Sequence, residues 1–396
     1  MGTYVGIFDT SNFTQDLAKK SFAGMITRLM PNGTAPLFGI TSMLSSETAV
    51  AVEHGYFSKT MLFPELKLNG AIGDGVINVF AVDSTANVLP GMIMRVNTTG
   101  ENILINQVIN GTQVQVTRGV GVTAAAAIAD DVMLYQVGNA FEEGSSRPTA
   151  LNITPVRITN YTQIFRNTWA LTDTARATQV IAGETTVAEN KQDCAAFHSA
   201  DIEKSLFFGQ KSSGTRNGKP FRTMDGLVSI VEQYTAQDNV HTASATTNYT
   251  QLETMLDPVF NQATDPKVAN ERVLFVGGSA KRVLNNIGRL NGTYQMVDGQ
   301  TLWGLQFSTF KTARGTFRVI EHPLFNTNVD WSKMAVGVDL STFNVAYLGD
   351  RKTRSEEEFG EGIDAVGGSL TTEMTCLVKN PPANVVIYGL TAAAAG

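Results

Sequence analysis

A chain of 396 residues exceeds the size at which one hydrophobic core usually keeps growing, so two or more lobes are expected. Hydrophobic content of 43% and charged content of 17% are globular values, and 36 glycines with many Thr and Asn favour strands and turns over a helix bundle. The net charge of −6 gives no basic footprint for tight nucleic-acid binding, and two distant cysteines, Cys194 and Cys376, exclude a disulfide framework.

Residues 1–13 are polar and aperiodic. Leu17, Phe22, Met25, Ile26 and Leu29 fit a short amphipathic helix over Thr14–Met30, stopped by Pro31–Asn32–Gly33. Thr34–Ile40 is apolar but broken by Pro36 and Gly39, so it must lie on other parts of the chain or on a neighbouring subunit. Alternating segments at Thr48–Val52 and Tyr56–Phe63 lead to a denser β region beginning at Val76–Val82. Ile103–Val108 and Thr112–Thr117 flank Asn110–Gly111, a strong hairpin signal, and Asp131–Val137 is a further strand. A compact β module over about residues 76–138 follows, bounded by the linker Glu142–Pro148.

Ile153–Thr168 alternates and feeds the longest Gly- and Pro-free run with a helical period, Glu184–Gly209. Val187, Cys194, Ala195, His198, Ile202 and Leu206 form its apolar or small stripe, and Gly209 is its stop. At 1.5 Å per residue it spans about 40 Å, enough to cross a domain as a strut. Gln210–Lys219 reads as a turn-rich loop, and Leu227–Tyr234 and Gln251–Ala263 read as helices. Arg272–Val276 is a buried-type strand before a Ser279-capped helix, Ala280–Ile287. Strands are expected at Trp303–Phe310, Thr316–Ile320, Met334–Val338 and Asn344–Leu348, and after the charged loop Asp350–Gly368 at Ser369–Val378 and Asn384–Leu390.

No convergent chemistry emerges. His54, His198, His241 and His322 are scattered without metal-ligand spacing. Gly277–Gly278–Ser279 lacks the spacing of a phosphate-binding loop, and Gly360–Ala365 matches a dinucleotide fingerprint by letter but follows an acidic run instead of a strand. No nucleophile elbow or cysteine–histidine pair appears, so neither enzyme activity, cofactor nor metal is expected. Glu356, Glu357, Glu358 and Glu361, close to Arg351, Lys352 and Arg354, read first as charges meeting those of symmetry copies, next as a solvated loop, and only distantly as an acid–base set. No apolar run reaches membrane-spanning length and no signal-type segment opens the chain, so an intracellular soluble protein is expected.

Several stretches resemble the major capsid proteins of tailed bacteriophages, of the Hong Kong 97-type fold and its SU-ten-like branch. They are Ser21–Phe38 with its Pro31–x–x–Thr34–x–Pro36 element, Asn160–Phe165, the helix with Asp201–Ile202–Glu203, Val273–Gly278, and Thr371–Asn380 running into Pro381–Leu390. The resemblance implies an α+β fold with an N-terminal arm at 1–46, an extended loop at 47–150 carrying the β module, a peripheral domain at 151–225 and 351–380 with the spine helix, and an axial domain at 226–350 and 381–396. It implies no catalysis, and self-assembly as hexamers and pentamers into an icosahedral head around double-stranded DNA held by non-specific contacts. Scaffolding and portal proteins, with a decoration protein as a further candidate, are its implied partners. The setting is the virion, assembled in the host bacterial cytoplasm. The arm begins almost at Met1, so any scaffold is expected to be a separate protein. The charged stretch falls where the family places its three-fold contacts, and Phe22, Met25, Leu29, Leu37 and Phe38 are the arm's candidate contact residues. A cellular nanocompartment shell enclosing an enzyme is the alternative, and an exported β-rich binding module a more distant one.

Overall fold

The structure is a computed structural model that describes residues 35–59, 63–73, 75–178, 186–235, 238–244, 247–261, 271–290, 298–302, 305–359 and 364–391. The helix expected over Thr14–Met30 lies outside them. The chain divides into a larger unit, Met1–Tyr56 with Ile158–Gly396, and a smaller one, Phe57–Arg157.

In the larger unit the seven-stranded sheet explains why Arg272–Val276 has no polar alternation. Its strand order is Val240–Thr242, Val385–Tyr388, Ala335–Val338, Glu271–Val276, Thr316–Glu321, Leu305–Lys311 and Asp298–Leu302. Val273 and Phe275 point into one core with Val336, Val338 and Val386. Leu274 and Val276 point into a second, with Phe317, Val319, Val385 and Ile387. Both faces of the sheet are therefore dry, and its strands read as continuous apolar runs. Helices Tyr249–Leu256 and Gly278–Leu290 cover the second face through Leu252, Leu256, Val283 and Leu284.

A five-stranded sheet holds Glu47–Ala49, Phe343–Leu348, Ala365–Val378 and Gln163–Thr172 in that order, with Arg354–Phe359 beside Ala365–Val378. The spine helix, Thr186–Phe208, lies on it and agrees with the helical run read from the sequence. Phe165 and Trp169 of the strand Gln163–Thr172 face inward, while Ile164, Arg166, Thr168 and Ala170 are exposed, a period-two pattern. Cys194 is buried with Trp169 and Val366, and Ile202, Leu206 and Phe207 enter the first core. Both cysteines are free and buried. The α+β class that the resemblance implies is the class observed.

Three local expectations need correction. Asp350–Gly368 is not simply a loop, because Arg354–Phe359 is a strand paired antiparallel with residues 366–371. Gln210–Lys219 is not one either: Ser212–Arg216 and Lys219–Thr223 form a hairpin. Its turn, Asn217–Gly218, has φ of 52° and 72°, the two left-handed positions of a type I′ turn, which Asn and Gly adopt most readily. Ser279 does not cap its helix. The helix begins at Gly278, whose N–H donates to Asn326 Oδ1 at 2.6 Å, while the Ser279 hydroxyl meets that of Ser332.

The smaller unit carries a six-stranded antiparallel sheet in the order Glu65–Lys67, Met133–Asn139, Met92–Val96, Asn102–Asn110, Gln113–Thr117, Val79–Ala81. It takes in a strand ahead of position 76, where the sequence pattern placed the start of the module. The two outer strands meet. Leu68 bridges Val82, Asn69 N–H donates to the Ala81 carbonyl, and Asp83 N–H donates to that of Lys67. The sheet is thus closed on itself around Phe80, Met94, Val96, Ile103, Ile105 and Val114. One charged pair is sealed within it: Arg118 donates to Glu101 from Nε at 3.0 Å and from Nη2 at 2.6 Å, and the Gly119 N–H adds 3.0 Å. Burial pushes the Glu101 carboxyl up, but the bonds from Arg118, Gly119 and Ala126 outweigh it and hold it below the usual carboxylate range. A lowered folded-state value contributes stability above the unfolded value of about 4.3 that is lost as pH falls through the folded one. Glu101→Gln is therefore expected to lower the urea midpoint at pH 7 and to flatten its decline below about pH 4. An acid limb as steep as that of the unaltered protein would show that Glu101 does not govern it.

Candidate assembly surface

The charges singled out in the sequence do not all face solvent unpaired. Arg351 Nε lies 3.1 Å from Glu373 Oε2, and Arg354 Nη2 lies 2.5 Å from Asp350 Oδ2. Lys352 sits over the Tyr347 ring, 5.7 Å from its centroid. Glu357 pairs with Lys191 of the spine helix, whose ammonium also lies 5.0 Å from the Trp169 ring centroid. The cations of the stretch are thus engaged inside the subunit, where they fasten the strand to its neighbours. Glu356 is exposed and makes no side-chain bond among the described residues. The side chain of Glu358, and Glu361 altogether, lie outside the described residues. Exposed pairs of this kind contribute little singly, so their effect is on the register of the strand more than on stability.

Behind this strand a polar chain crosses to the spine helix. The Thr353 hydroxyl meets Thr372 Oγ1 at 2.8 Å, and Thr372 meets His198 Nε2 at 2.8 Å. His198 Nδ1 reaches Asn167 Oδ1 at 2.7 Å, and Asn167 Nδ2 donates to Asp201 at 2.9 Å. Burial lowers the His198 pKa, against an opposing pull from Asp201, so the ring is neutral and serves as a relay of hydrogen bonds. A close approach accompanies it. A Cβ on Gly368 would meet the Glu356 carbonyl at 2.6 Å and Trp169 Nε1 at 2.9 Å, so only glycine lets these elements pack this tightly.

The arm residues fall into two groups. Phe22, Met25 and Leu29 lie outside the described residues. Leu37 and Phe38 belong to a short helix, Pro36–Met43, that docks on the subunit's own spine helix. Leu37 is fully buried in the first core and offers no surface to a neighbour, while Phe38 is half-buried against it. Apolar residues on so short a helix have too little surface to bury alone, and here they find it within the chain.

What holds this helix is a carboxylate on the spine. Ala35 provides no side-chain cap. Instead Glu203 accepts the Leu37 N–H at 2.8 Å and the Phe38 N–H at 2.7 Å, satisfying two of the helix's free donors with a negative charge at its positive end. His322 Nε2 donates to the same carboxylate at 2.8 Å. The imidazole is stacked on Phe325 with centroids 4.4 Å apart and meets Phe207 edge-on at 5.1 Å. Both Glu203 and His322 are fully buried.

A second buried joint forms around Asn160. Its Nδ2 donates to the carbonyls of Asp225 at 3.0 Å and Cys376 at 2.8 Å, and its Oδ1 accepts the N–H groups of Asp225 and Tyr161. The Cys376 thiol donates to the Asp225 carbonyl at 3.0 Å, and burial pushes its pKa up to about 12, so it packs as a thiol. A small cavity lined by Tyr56, Asn160, Tyr234 and Val378 adjoins this joint. Among the described residues no group of three or more His, Cys, Asp or Glu is placed to hold a metal ion. No described helix is long and apolar enough to cross a membrane.

The hairpin Ser212–Thr223 carries a patch that the sequence pattern did not single out. Arg216 and Lys219 stand directly opposite each other across the turn, with Gly214 and Phe221 opposite one another on the same face. Arg216, Lys219 and Phe221 are exposed, and neither cation makes a side-chain hydrogen bond or ion pair among the described residues. The signal for this hairpin was the Asn217–Gly218 pair, and the signal for the patch is the absence of any acid between Gly209 and Met224.

Comparison with known proteins identifies the chain. A profile of the SU10 major capsid protein family matches residues 9–391. The major capsid protein of Pseudomonas phage PaMx41 is 39% identical over 409 aligned residues, spanning 98% of this chain and 97% of that protein. Among solved structures, the capsid of the empty GTA particle aligns with a TM-score of 0.49 at 9% identity, over 95% of this chain and 96% of that one. The holo-SrpI encapsulin complex from Synechococcus elongatus PCC 7942 aligns with a TM-score of 0.45 at 10% identity, over 61% of this chain and 79% of that one. The two sequence matches define the class as phage major capsid proteins, structural components of the virion. The chain belongs to the SU10 major capsid protein family. Neither sequence match is to an encapsulin, so the nanocompartment alternative is not favoured.

Proposed function

We propose that this subunit assembles with copies of itself, as hexamers and pentamers, into the icosahedral head of a tailed phage and encloses its double-stranded DNA. The observation that carries the reading is the match to a phage major capsid protein along nearly the whole chain. The open edge of the larger unit supports it. Gln163–Thr172 is ten residues long and is paired on one side only among the described residues, and such edges are normally covered. Its role is structural and non-catalytic. In the Hong Kong 97-type arrangement, residues 1–46 serve as the arm, 47–150 as the extended loop with its closed β module, 151–225 with 351–380 as the peripheral domain, and 226–350 with 381–396 as the axial domain. The charged stretch 351–361 meets symmetry copies, while Phe22, Met25 and Leu29 of the arm reach neighbours and Leu37 and Phe38 anchor its root. Scaffolding and portal proteins act during assembly in the host bacterial cytoplasm, and DNA is held by non-specific contacts.

Negative-stain microscopy and light scattering of the purified protein test this. Closed shells or ring-shaped capsomers are the expected result, with an interface on the order of 2,000 Å² or more per subunit pair. A monomer that stays unassembled at high concentration, with scaffold supplied, would overturn it.

A further inference from the structure

The cations of the charged stretch are taken up inside the subunit, while Glu356 is left exposed without a partner among the described residues. The hairpin Ser212–Thr223 has the opposite imbalance. Arg216 and Lys219 face each other across its turn, a like-charge arrangement that weakens a hairpin, and no carboxylate within the described residues relieves it. One subunit thus carries a basic patch and an acidic patch on separate strands, with no described ion pair joining them.

We propose that the hairpin Ser212–Thr223 docks, through Arg216, Lys219 and Phe221, on the acidic strand of a second copy of this chain at Glu356, and beside it at Glu357, which exchanges its exposed pair with Lys191 for the contact. The inference rests on the shell-subunit reading above. Two complementary patches on different surfaces of one chain make a head-to-tail contact, and such contacts close into rings when the rotation between copies allows it. The patch also has the composition of a protein interface: an arginine and a half-exposed aromatic ring displayed on a rigid two-stranded support. A polyanion such as DNA is the weaker partner for it, because the chain as a whole carries a charge of −6 and repels phosphate at longer range. A carboxylate strand presents negative charge at one fixed place, and the attraction orients the approaching copy before apolar contact forms.

Charge reversal tests the pairing in the full chain. The doubly substituted Arg216→Glu/Lys219→Glu protein is expected to raise the concentration needed for assembly about tenfold or more, and so is Glu356→Lys/Glu357→Lys. Combining all four substitutions is expected to restore assembly to near the unaltered level. These side chains are exposed, so circular dichroism should be unchanged; the thermal transition should be unchanged for the hairpin variants and shift only slightly where Glu357→Lys breaks the exposed pair with Lys191. A milder pair, Arg216→Gln/Lys219→Gln, is expected to weaken the salt dependence of assembly without reversing any charge. The proposal is overturned if the reversed hairpin assembles normally, if the fourfold variant fails to recover, or if the glutamine pair leaves the salt dependence intact. Normal shells that package less DNA would overturn it in favour of a phosphate contact. An unaltered protein that never assembles defeats the shell reading itself, whereas assembly indifferent to these substitutions defeats only the hairpin pairing.

Discussion

Replacing Glu203 by alanine is expected to destabilise the larger unit by about 3–5 kcal/mol, because it strips the partner from two buried donors and one part-buried donor at once. The N–H groups of Leu37 and Phe38 lose an acceptor at 2.8 and 2.7 Å, and His322 Nε2 loses one at 2.8 Å, with Leu37, Glu203 and His322 fully buried. Glu203→Gln keeps the shape and one good acceptor, so it is expected to cost roughly half as much or less. Denaturant unfolding followed by fluorescence measures both. Hydrogen exchange adds a local readout: the amides of Leu37 and Phe38 should exchange far faster in Glu203→Ala than in the unaltered protein. If the alanine variant loses under about 1 kcal/mol, or if those amides remain protected, the carboxylate is not what fastens the arm helix.

Phe207→Ala is expected to be comparably severe, at about 3–5 kcal/mol. The ring is fully buried and packs edge-on against Phe275 at 5.3 Å, His322 at 5.1 Å and Phe325 at 5.1 Å. Its removal opens a cavity between the spine helix and the seven-stranded sheet, and the stacked His322–Phe325 pair that positions the Glu203 carboxylate loses its support. The neighbouring Phe208 is the control. It is only partly buried and stacks on Trp331, with centroids 4.4 Å apart, so Phe208→Ala should lose less than half as much. Equal losses at the two positions would show that the cost comes from shortening the apolar end of the helix and not from this cluster.

These two predictions concern residues whose importance the sequence pattern conveys unevenly. Phe207 lies beside Leu206, the last residue of the helix's apolar stripe, so the sequence marks this helix end as apolar while leaving Phe207 itself off the stripe. The two-faced strand Glu271–Val276 is plain, because only a strand dry on both sides runs through Val, Leu, Phe and Val without interruption. Glu203 gives no such sign. It is one acid among several on a polar-faced helix, and its partners come from 165 and 119 positions away in the chain. Asn326, which caps a helix 48 positions away in place of Ser279, escaped for the same reason. Local rules locate a residue on an element, but they do not reveal which distant backbone group it will meet. Arg354–Phe359 was obscured by composition, since consecutive glutamates are poor strand formers until a long partner such as Ala365–Val378 supplies the pairing. For the candidate surface, the charged run was visible as composition, yet its division into internally matched cations and an unmatched acid required the fold.

The seam between the outermost strands of Phe57–Arg157 has an implication for the time before a subunit finds its place. A sheet that ends on itself presents no row of free amides and carbonyls, so freshly made copies cannot zip together through this part of the molecule however crowded they become. Weakening that seam, for instance where Lys67 reaches Asp83 across it, should surface first as insoluble protein in the expressing cell and not as misshapen particles.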